Sequence, residues 1–73
     1  MSRRYDHFKT QLEHFLAGPM PFQDFEYLYY EMKKHGLKEH YVKFYDELFA
    51  IIETDAPFDR QVLYDLALEI VNE

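Results

Sequence analysis

The chain has 73 residues, of which 14 are acidic and 8 are basic, and it contains no cysteine. The lack of cysteine excludes disulfides, thiolate nucleophiles and thiolate metal ligands, and it favours a cytoplasmic protein. The net charge of −6 disfavours direct binding to nucleic acids or to anionic membranes, because both attract Lys and Arg.

The composition is rich in residues that can form a core. A chain this short buries only about 60% of its unfolded surface, so it needs a high density of apolar side chains. Hydrophobic residues make up 48% of the sequence and aromatic residues 19%, which meets that need. No apolar run is long enough for a signal peptide or a membrane span. We therefore predict a single domain over residues 1–73.

Three interruptions divide the chain into four parts. Gly18–Pro21 and Asp55–Pro57 must break a helix, because proline lacks the amide hydrogen and clashes with the preceding turn. The pair His35 and Gly36 is typical of a helix C-terminus with glycine in the left-handed region. Apolar residues recur with a period near 3.6 in each part. This pattern predicts an all-α fold, a compact four-helix bundle with antiparallel neighbours and short connections.

The first predicted helix runs from about Arg3 to Leu16, and the second from about Phe22 to His35. The inward residues of the first are Tyr5, Phe8, Leu12, Phe15 and Leu16. Those of the second are Phe22, Phe25, Leu28, Tyr29 and Met32.

The third predicted helix runs from about Lys38 to Thr54, and the fourth from about Asp59 to Asn72. The third has a wide apolar stripe of Tyr41, Phe44, Tyr45, Leu48, Ile51 and Ile52, with Val42 and Phe49 at its edge. The fourth turns inward Val62, Leu63, Leu66, Ala67 and Ile70, and its N-cap is Asp59 or Asp55. From these sets we expect a core that includes Phe25, Leu28, Phe44, Leu48, Leu66 and Ile70.

The sequence lacks the signatures of common enzymes. Its only glycines are Gly18 and Gly36, so it has no glycine-rich phosphate loop. Ser2 is its only serine, and no nucleophile elbow surrounds it. We therefore expect no enzymatic activity and no cofactor.

The four histidines do not form a metal-binding motif. His7 and His14 share a helix face but lie about 10 Å apart, which is too far for a common zinc ion. His35 and His40 flank the Gly36 turn and approach each other only if the fold happens to bring them together. We expect exposed histidines and no bound metal.

The outward faces of the second and third helices are the candidate binding sites. Asp24, Tyr27, Tyr30 and Glu31 point away from the inward set of the second helix. Tyrosine is enriched among the anchors of protein interfaces, although either ring can equally lie along the helix or under a neighbouring segment.

On the third helix, Glu39, Asp46 and Glu53 are seven residues apart and form an acidic row about 20 Å long. Such a row can imitate a phosphate backbone in a basic cleft. It can also be a solvated helix face, which Lys43 partly neutralises. On the fourth helix, Tyr64, Leu68 and Val71 either pack on the first helix or form a small patch for a homodimer contact.

One stretch resembles a known family. Residues 15–26 resemble a pattern in the colicin-D-type bacterial immunity proteins, in which a helix ends in Phe-Leu-x-Gly, an apolar residue follows and the next helix carries Phe-Glu. The matching residues are Phe15, Leu16, Gly18, Met20, Phe25 and Glu26, while Pro19 and Pro21 stand where the family more commonly has Glu and Ser. The resemblance implies a cytoplasmic immunity protein that binds a nuclease toxin, often one that cleaves transfer RNA. Any helical hairpin with a glycine C-cap and an apolar staple can show the same pattern.

We therefore expect a small acidic protein inhibitor that binds and occludes a basic, nucleic-acid-binding protein, such as a nuclease toxin or a phage-targeted defence enzyme. The expected partner-binding residues are Asp24, Tyr27, Tyr30, Glu31, Glu39, Asp46 and Glu53. The alternative is a structural or regulatory module, a small subunit or an adaptor that docks through apolar surface. Salt distinguishes the two, because it screens exposed charges and leaves apolar docking largely unchanged.

Overall fold

A computed structural model of the chain describes the backbone of residues 3–73 and the side chains of residues 5–73. It has four α-helices and, within residues 3–73, no β-strand. The helices are α1 (Arg3–Ala17), α2 (Phe22–Lys34), α3 (Val42–Glu53) and α4 (Arg60–Val71). The predicted all-α four-helix bundle is confirmed, and the chain breaks where predicted, although α3 begins at Val42 and not near Lys38. Residues 1 and 2 of the predicted domain lie outside the described residues.

Neighbouring helices run in opposite directions. Phe15 near the end of α1 meets Tyr64 near the start of α4, with ring centroids 6.1 Å apart. Phe25 near the start of α2 meets Phe58, which follows α3, at 5.3 Å. The closely packed pairs are α1 with α4, α3 with α4, and α2 with α3. The helices α1 and α2 approach less closely along their length, and a groove lies between them.

A single cluster of side chains from all four helices forms the core. Its members are Phe8, Leu12, Phe15, Met20, Phe25, Leu28, Tyr29, Met32, Leu37, Tyr41, Phe44, Leu48, Ile51, Leu63, Ala67 and Ile70. Among the six predicted core residues, only Leu66 departs from the expectation, since it is partly buried and packs against the cluster. Phe22 is also not an inward residue. It is 44% exposed at the first position of α2, where its ring contacts Phe58 at 6.0 Å.

The turn after α2 ends the helix as the sequence predicts. Gly36 has a φ of 68°, in the left-handed region that glycine favours. The amide of Leu37 then donates a 2.9 Å hydrogen bond to the carbonyl of Met32, and both side chains are buried. This hydrogen bond after a left-handed glycine is typical of the Schellman motif, and the turn adds Leu37 to the core.

The start of α4 is held by two neighbouring residues. The side chain of Asp59 accepts hydrogen bonds from the amides of Gln61 and Val62 at 3.1 and 3.3 Å, which confirms Asp59 as the N-cap. Arg60 donates a 2.8 Å hydrogen bond to the Met20 carbonyl. Its guanidinium lies over the rings of three phenylalanines, Phe15, Phe25 and Phe58. Arg60 therefore fastens the loop before α2 to the start of α4.

Candidate binding surfaces

The acidic row predicted on the third helix is incomplete. Helix α3 begins at Val42, so Glu39 lies outside it, in the turn that follows α2. Leu37 is 1% exposed, and its carbonyl accepts the hydrogen bonds that close this turn before α3 begins. Glu39, Asp46 and Glu53 are all exposed, but only Asp46 and Glu53 share α3. The prediction of a three-residue helical row is therefore wrong.

The two remaining carboxylates belong to a different stripe. Val42, Asp46, Phe49 and Glu53 follow one another at intervals of four, three and four residues, which places them on one helix face. Val42 is 51% exposed and Phe49 is 42% exposed. The sequence pattern placed both at the edge of the buried stripe, but the fully buried side of α3 consists only of Phe44, Leu48 and Ile51. The outer stripe of α3 thus alternates apolar and acidic side chains.

Glu53 is held in place from inside the bundle. Tyr29 of α2 is 0% exposed, and its hydroxyl donates a 2.9 Å hydrogen bond to Oε2 of Glu53. Burial is the main cause that raises the pKa of Tyr29, and its contacts with Tyr45 and Glu53 raise it further. The Tyr29 ring stacks on Tyr45 with centroids 5.2 Å apart. The carboxylate of Glu53 is therefore positioned by a buried, well-packed donor.

Tyr30 adds an exposed ring beside this arrangement. It is 54% exposed, and its ring lies 5.4 Å from that of Tyr29, which in turn is 6.5 Å from Phe49. Tyr29 thus links exposed rings on two helices. We call the surface made by Tyr30, Val42, Asp46, Phe49 and Glu53 the α2/α3 face.

Two lysines lie beside the α2/α3 face. The Nζ atom of Lys33 is 5.2 Å from the centre of the Tyr29 ring and 5.9 Å from that of Tyr30. The Nζ atom of Lys38 is 5.8 Å from the centre of the Tyr45 ring. These positive charges lie over the rings next to the α2/α3 face, so its surroundings do not resemble a uniform row of phosphates.

The residues predicted on α2 do not form one surface. Tyr30 contacts Tyr29, whose ring stacks on Tyr45 of α3, whereas Tyr27 and Glu31 line the groove between α1 and α2. Asp24 is exposed in the first turn of α2, where its negative charge interacts favourably with the helix dipole. The structure therefore divides the predicted set between two sides of the helix.

The α1/α2 groove has a volume of about 250 Å³. Its floor is apolar and consists of Phe8, Leu28 and Leu37, each exposed by no more than 2%. Its rim is polar and consists of His7, Gln11, Tyr27, Glu31 and His35. We keep the name α1/α2 groove for this set of residues.

Glu31 is the carboxylate of the groove. Tyr27 donates a 2.8 Å hydrogen bond to its Oε1 atom, and Nε2 of His35 lies 3.2 Å from its Oε2 atom. Nε2 of His7, across the groove on α1, is 3.9 Å from Oε1. The prediction that Glu31 is exposed is wrong, because these neighbours leave only 18% of its side chain accessible. Accepting the hydrogen bond and bearing negative charge, Glu31 raises the pKa of Tyr27.

The histidines pair with carboxylates more than the sequence indicates. His7 and His35 approach Glu31, and Nε2 of His40 lies 3.7 Å from Glu73. His7, His14 and His40 are exposed as expected, while His35 is half-buried against Glu31. Within the described part of the chain, no group of three or more potential ligands is placed to hold a metal ion.

A second groove, between α3 and α4, was not predicted. It has a volume of about 540 Å³, and its lining includes Lys43, Leu66, Glu69 and Glu73. Glu73 accepts a 3.1 Å hydrogen bond from the hydroxyl of Tyr41. Burial, and to a lesser extent Glu73, raises the pKa of Tyr41 to about 12. Glu69 lies on α4 and Glu73 lies two residues beyond its end, and their spacing of four residues is the sequence signal for this edge.

The apolar residues predicted on the outside of α4 divide in two. Tyr64 is 37% exposed and Leu68 is 41% exposed, one turn apart, and we call this pair the α4 patch. Val71 is partly buried and packs against the core, so it does not extend the patch.

No family model, curated protein or solved structure matches the chain. Among residues 3–73, no helix has both the length and the apolar character that a membrane crossing requires. The candidate binding surfaces are the two interhelical grooves, the α2/α3 face and the α4 patch.

Proposed function

We propose that this chain is a non-catalytic protein inhibitor that binds a basic partner through the α2/α3 face and covers the partner's nucleic-acid-binding surface. The observation that carries the proposal is the composition of that face. The exposed ring of Phe49 shares one face of α3 with the carboxylates of Asp46 and Glu53. The exposed ring of Tyr30 contacts Tyr29, whose hydroxyl donates to Glu53. Aromatic residues are enriched among the anchors of protein interfaces, and a polar rim surrounds them.

The rings would supply most of the affinity. An aromatic anchor in an interface commonly contributes about 2 kcal/mol or more. Tyr30 packs against Tyr29, whose ring is buried and stacked on Tyr45. A platform that is already ordered loses less conformational entropy on binding than a mobile one.

The charges would act mainly on the rate of association and on the choice of partner. A net charge of −6 attracts a positively charged surface over a distance of about one Debye length, roughly 8 Å at physiological salt. At contact, Asp46 and Glu53 can pair with Arg or Lys of the partner. Lys33 and Lys38 at the edge would repel partners whose positive charges extend beyond the face.

A nuclease toxin and a phage-targeted defence enzyme are both partners of this class. The resemblance of residues 15–26 to colicin-D-type immunity proteins favours the toxin. In this chain Phe15, Met20 and Phe25 are buried, and they form the junction between α1 and α2. These residues pack that junction and do not contact a partner. The toxin is therefore proposed from the resemblance alone.

The second candidate is an adaptor or small subunit that docks through apolar surface, including docking to a second copy of the chain. The α4 patch favours it, because Tyr64 and Leu68 are exposed side by side. The patch is small, and exposed apolar residues in ones and twos are common on monomeric proteins. We therefore place it second.

Affinity capture from a cell lysate tests the first proposal against the second. The bait would be the wild-type chain, compared with Asp46→Lys and with a control, Glu13→Lys, that makes the same charge change at an exposed site on α1. We expect a basic protein to be captured by the wild-type and control baits and lost from Asp46→Lys. Capture should weaken steeply as salt shortens the Debye length from about 10 Å at 0.1 M to about 3 Å at 1 M.

A second pair of variants separates the two apolar surfaces. Phe49→Ala should speed dissociation of the captured protein and weaken binding by about 2 kcal/mol, whereas Tyr64→Ala should leave it unchanged. Loss of binding in Tyr64→Ala alone, together with insensitivity to salt, would refute the inhibitor proposal and favour the adaptor.

A further inference from the structure

We propose that the α1/α2 groove accepts one arginine side chain of the partner, with its guanidinium at Glu31. This inference rests on the proposed function, because it requires a partner that is rich in basic residues. The α1/α2 groove and the α2/α3 face lie on either side of α2, and a helix with its side chains is only about 10–12 Å across. A partner lying over α2 can therefore reach both.

The size of the groove fits one side chain. Its volume of about 250 Å³ is smaller than the roughly 300–1,000 Å³ of typical small-molecule sites. The floor made by Phe8, Leu28 and Leu37 is apolar. Arginine carries a three-carbon stem that packs along apolar surface while its head group reaches a polar rim. The apolar floor of the groove therefore suits the stem, and its polar rim suits the head group.

The charge of the groove fits a cation. Among the described side chains, those of residues 5–73, Glu31 is the only acidic one that lines the groove, and no Lys or Arg lines it. A carboxylate can accept about four hydrogen bonds. Among the side chains of residues 5–73, the neighbours within hydrogen-bonding distance of Glu31 are the Tyr27 hydroxyl at 2.8 Å and His35 at 3.2 Å, and these two contacts leave acceptor capacity on the carboxylate.

Arginine fits better than lysine for two reasons. Its planar guanidinium presents donors in a fork that matches a carboxylate, whereas the ammonium of lysine is a single point of charge. The Tyr27 ring is 51% exposed at the rim, and a guanidinium stacks favourably on such a ring.

A purely structural role for Glu31 makes a different prediction. In that case its contacts with His7 and His35 only hold α1 against α2, and its replacement lowers stability without affecting any ligand. The test must therefore measure binding and stability on the same variants.

The test is an NMR titration of the isotopically labelled chain with Nα-acetyl-arginine amide, using Nα-acetyl-citrulline amide as the neutral isostere. We expect the arginine probe alone to shift the backbone signals of groove residues. Glu31→Gln should weaken that binding about tenfold or more, because it removes the charge from the pair. Glu13→Gln, the same change at an exposed carboxylate of α1 outside the groove, should leave it unchanged.

Gln11→Glu provides a variant that does not depend on removing Glu31. It adds a carboxylate at the rim and should strengthen binding of the arginine probe about twofold to fivefold, as expected for a partly exposed ion pair. Thermal melting of every variant would establish that it is folded.

Several results would overturn the inference. Equal shifts with the citrulline probe would show that the groove does not select a cation. Shifts confined to the surroundings of Asp46 and Glu53 would place the arginine on the α2/α3 face. Shifts of groove residues that depend on protein concentration without any probe would assign the groove to a second copy of the chain.

The result of the arginine titration can be distinguished from the result of the capture experiment. If the arginine probe fails while Asp46→Lys still abolishes capture, the groove is refuted and the α2/α3 face stands. If the probe binds the groove as expected while no basic partner is captured, the inhibitor proposal falls and the groove remains a cation site.

Discussion

The hydrogen bond between Tyr29 and Glu53 can be tested by removing one hydroxyl. Tyr29→Phe keeps the buried ring and its stacking on Tyr45, and it removes the hydroxyl that donates to Oε2 of Glu53 at 2.9 Å and also contacts Tyr45. We expect this change to destabilise the bundle and to release the Glu53 side chain, because the hydroxyl is the donor that ties this carboxylate to the core.

The magnitude follows from where the two groups lie. A hydrogen bond to a charged group contributes about 1.5–3 kcal/mol to stability. Glu53 is exposed, so water can solvate the carboxylate once the hydroxyl is gone, which places the cost of Tyr29→Phe near 1–1.5 kcal/mol. For a domain of this size, each kcal/mol lowers the melting temperature by about 4–8 °C.

A double-mutant cycle assigns this cost to the pair. Glu53→Gln keeps a neutral acceptor and should cost about half as much, because charge-assisted hydrogen bonds are roughly twice as strong as neutral ones. With Tyr29→Phe already present, Glu53→Gln should cost nothing further, so the two effects should not add. The control is Tyr30→Phe, which removes a hydroxyl from the neighbouring exposed ring and should change stability by less than about 0.5 kcal/mol.

The assay is urea unfolding followed by far-ultraviolet circular dichroism, since the chain is helical and the signal reports the whole bundle. The reasoning is refuted if Tyr29→Phe costs no more than Tyr30→Phe. It is also refuted if the costs of the two changes in the cycle simply add.

Three further predictions follow from the core and the helix ends. Leu37→Ala should cost about 2–5 kcal/mol in urea unfolding although it lies in a turn, because the side chain is 1% exposed; a cost near zero would contradict its place in the core. Asp59→Ala should cost about 1 kcal/mol by removing the N-cap of α4, while Asp59→Asn should largely restore it. The raised pKa of Tyr41, from 10.0 to about 12, favours the protonated phenol in the folded state. The stability that this raised pKa contributes is therefore complete below pH 10 and is lost as the pH rises towards 12. In unfolding experiments at a series of alkaline pH values, the free energy of unfolding should fall less steeply for Tyr41→Phe than for the wild type.

The helices could be predicted because their ends are set locally. Proline at positions 19, 21 and 57 and the left-handed Gly36 interrupt the chain wherever they occur, whatever the rest of the fold does. The side chain of Asp59 caps α4 through amides only two and three residues away. The burial of Leu37 was missed, although the apolar contact of a Schellman motif after Gly36 is a signal for it.

The candidate surfaces were predicted less well because they depend on contacts between helices. Periodicity gives the residues that share a helix face, but it does not give the edges that neighbouring helices cover. Val42 and Phe49 are exposed because α2 and α4 do not cover the outer side of α3. Tyr27 and Tyr30 are only three residues apart, yet Tyr27 lines the α1/α2 groove and Tyr30 contacts Tyr29, whose ring stacks on Tyr45 of α3. Glu31 meets His7 through the fold alone, across a separation of 24 residues.

The most direct test of the proposed function is photo-crosslinking from the α2/α3 face in living cells. A photoreactive phenylalanine, p-benzoylphenylalanine, would replace Phe49, and in a second variant it would replace Leu68 of the α4 patch, which has a similar exposure of 41% against 42%. We predict that the probe at position 49 forms an adduct with a basic, nucleic-acid-binding protein, and that Asp46→Lys in the same chain abolishes this adduct. Adducts from position 68 alone, or adducts from position 49 that persist with Asp46→Lys, would contradict the account.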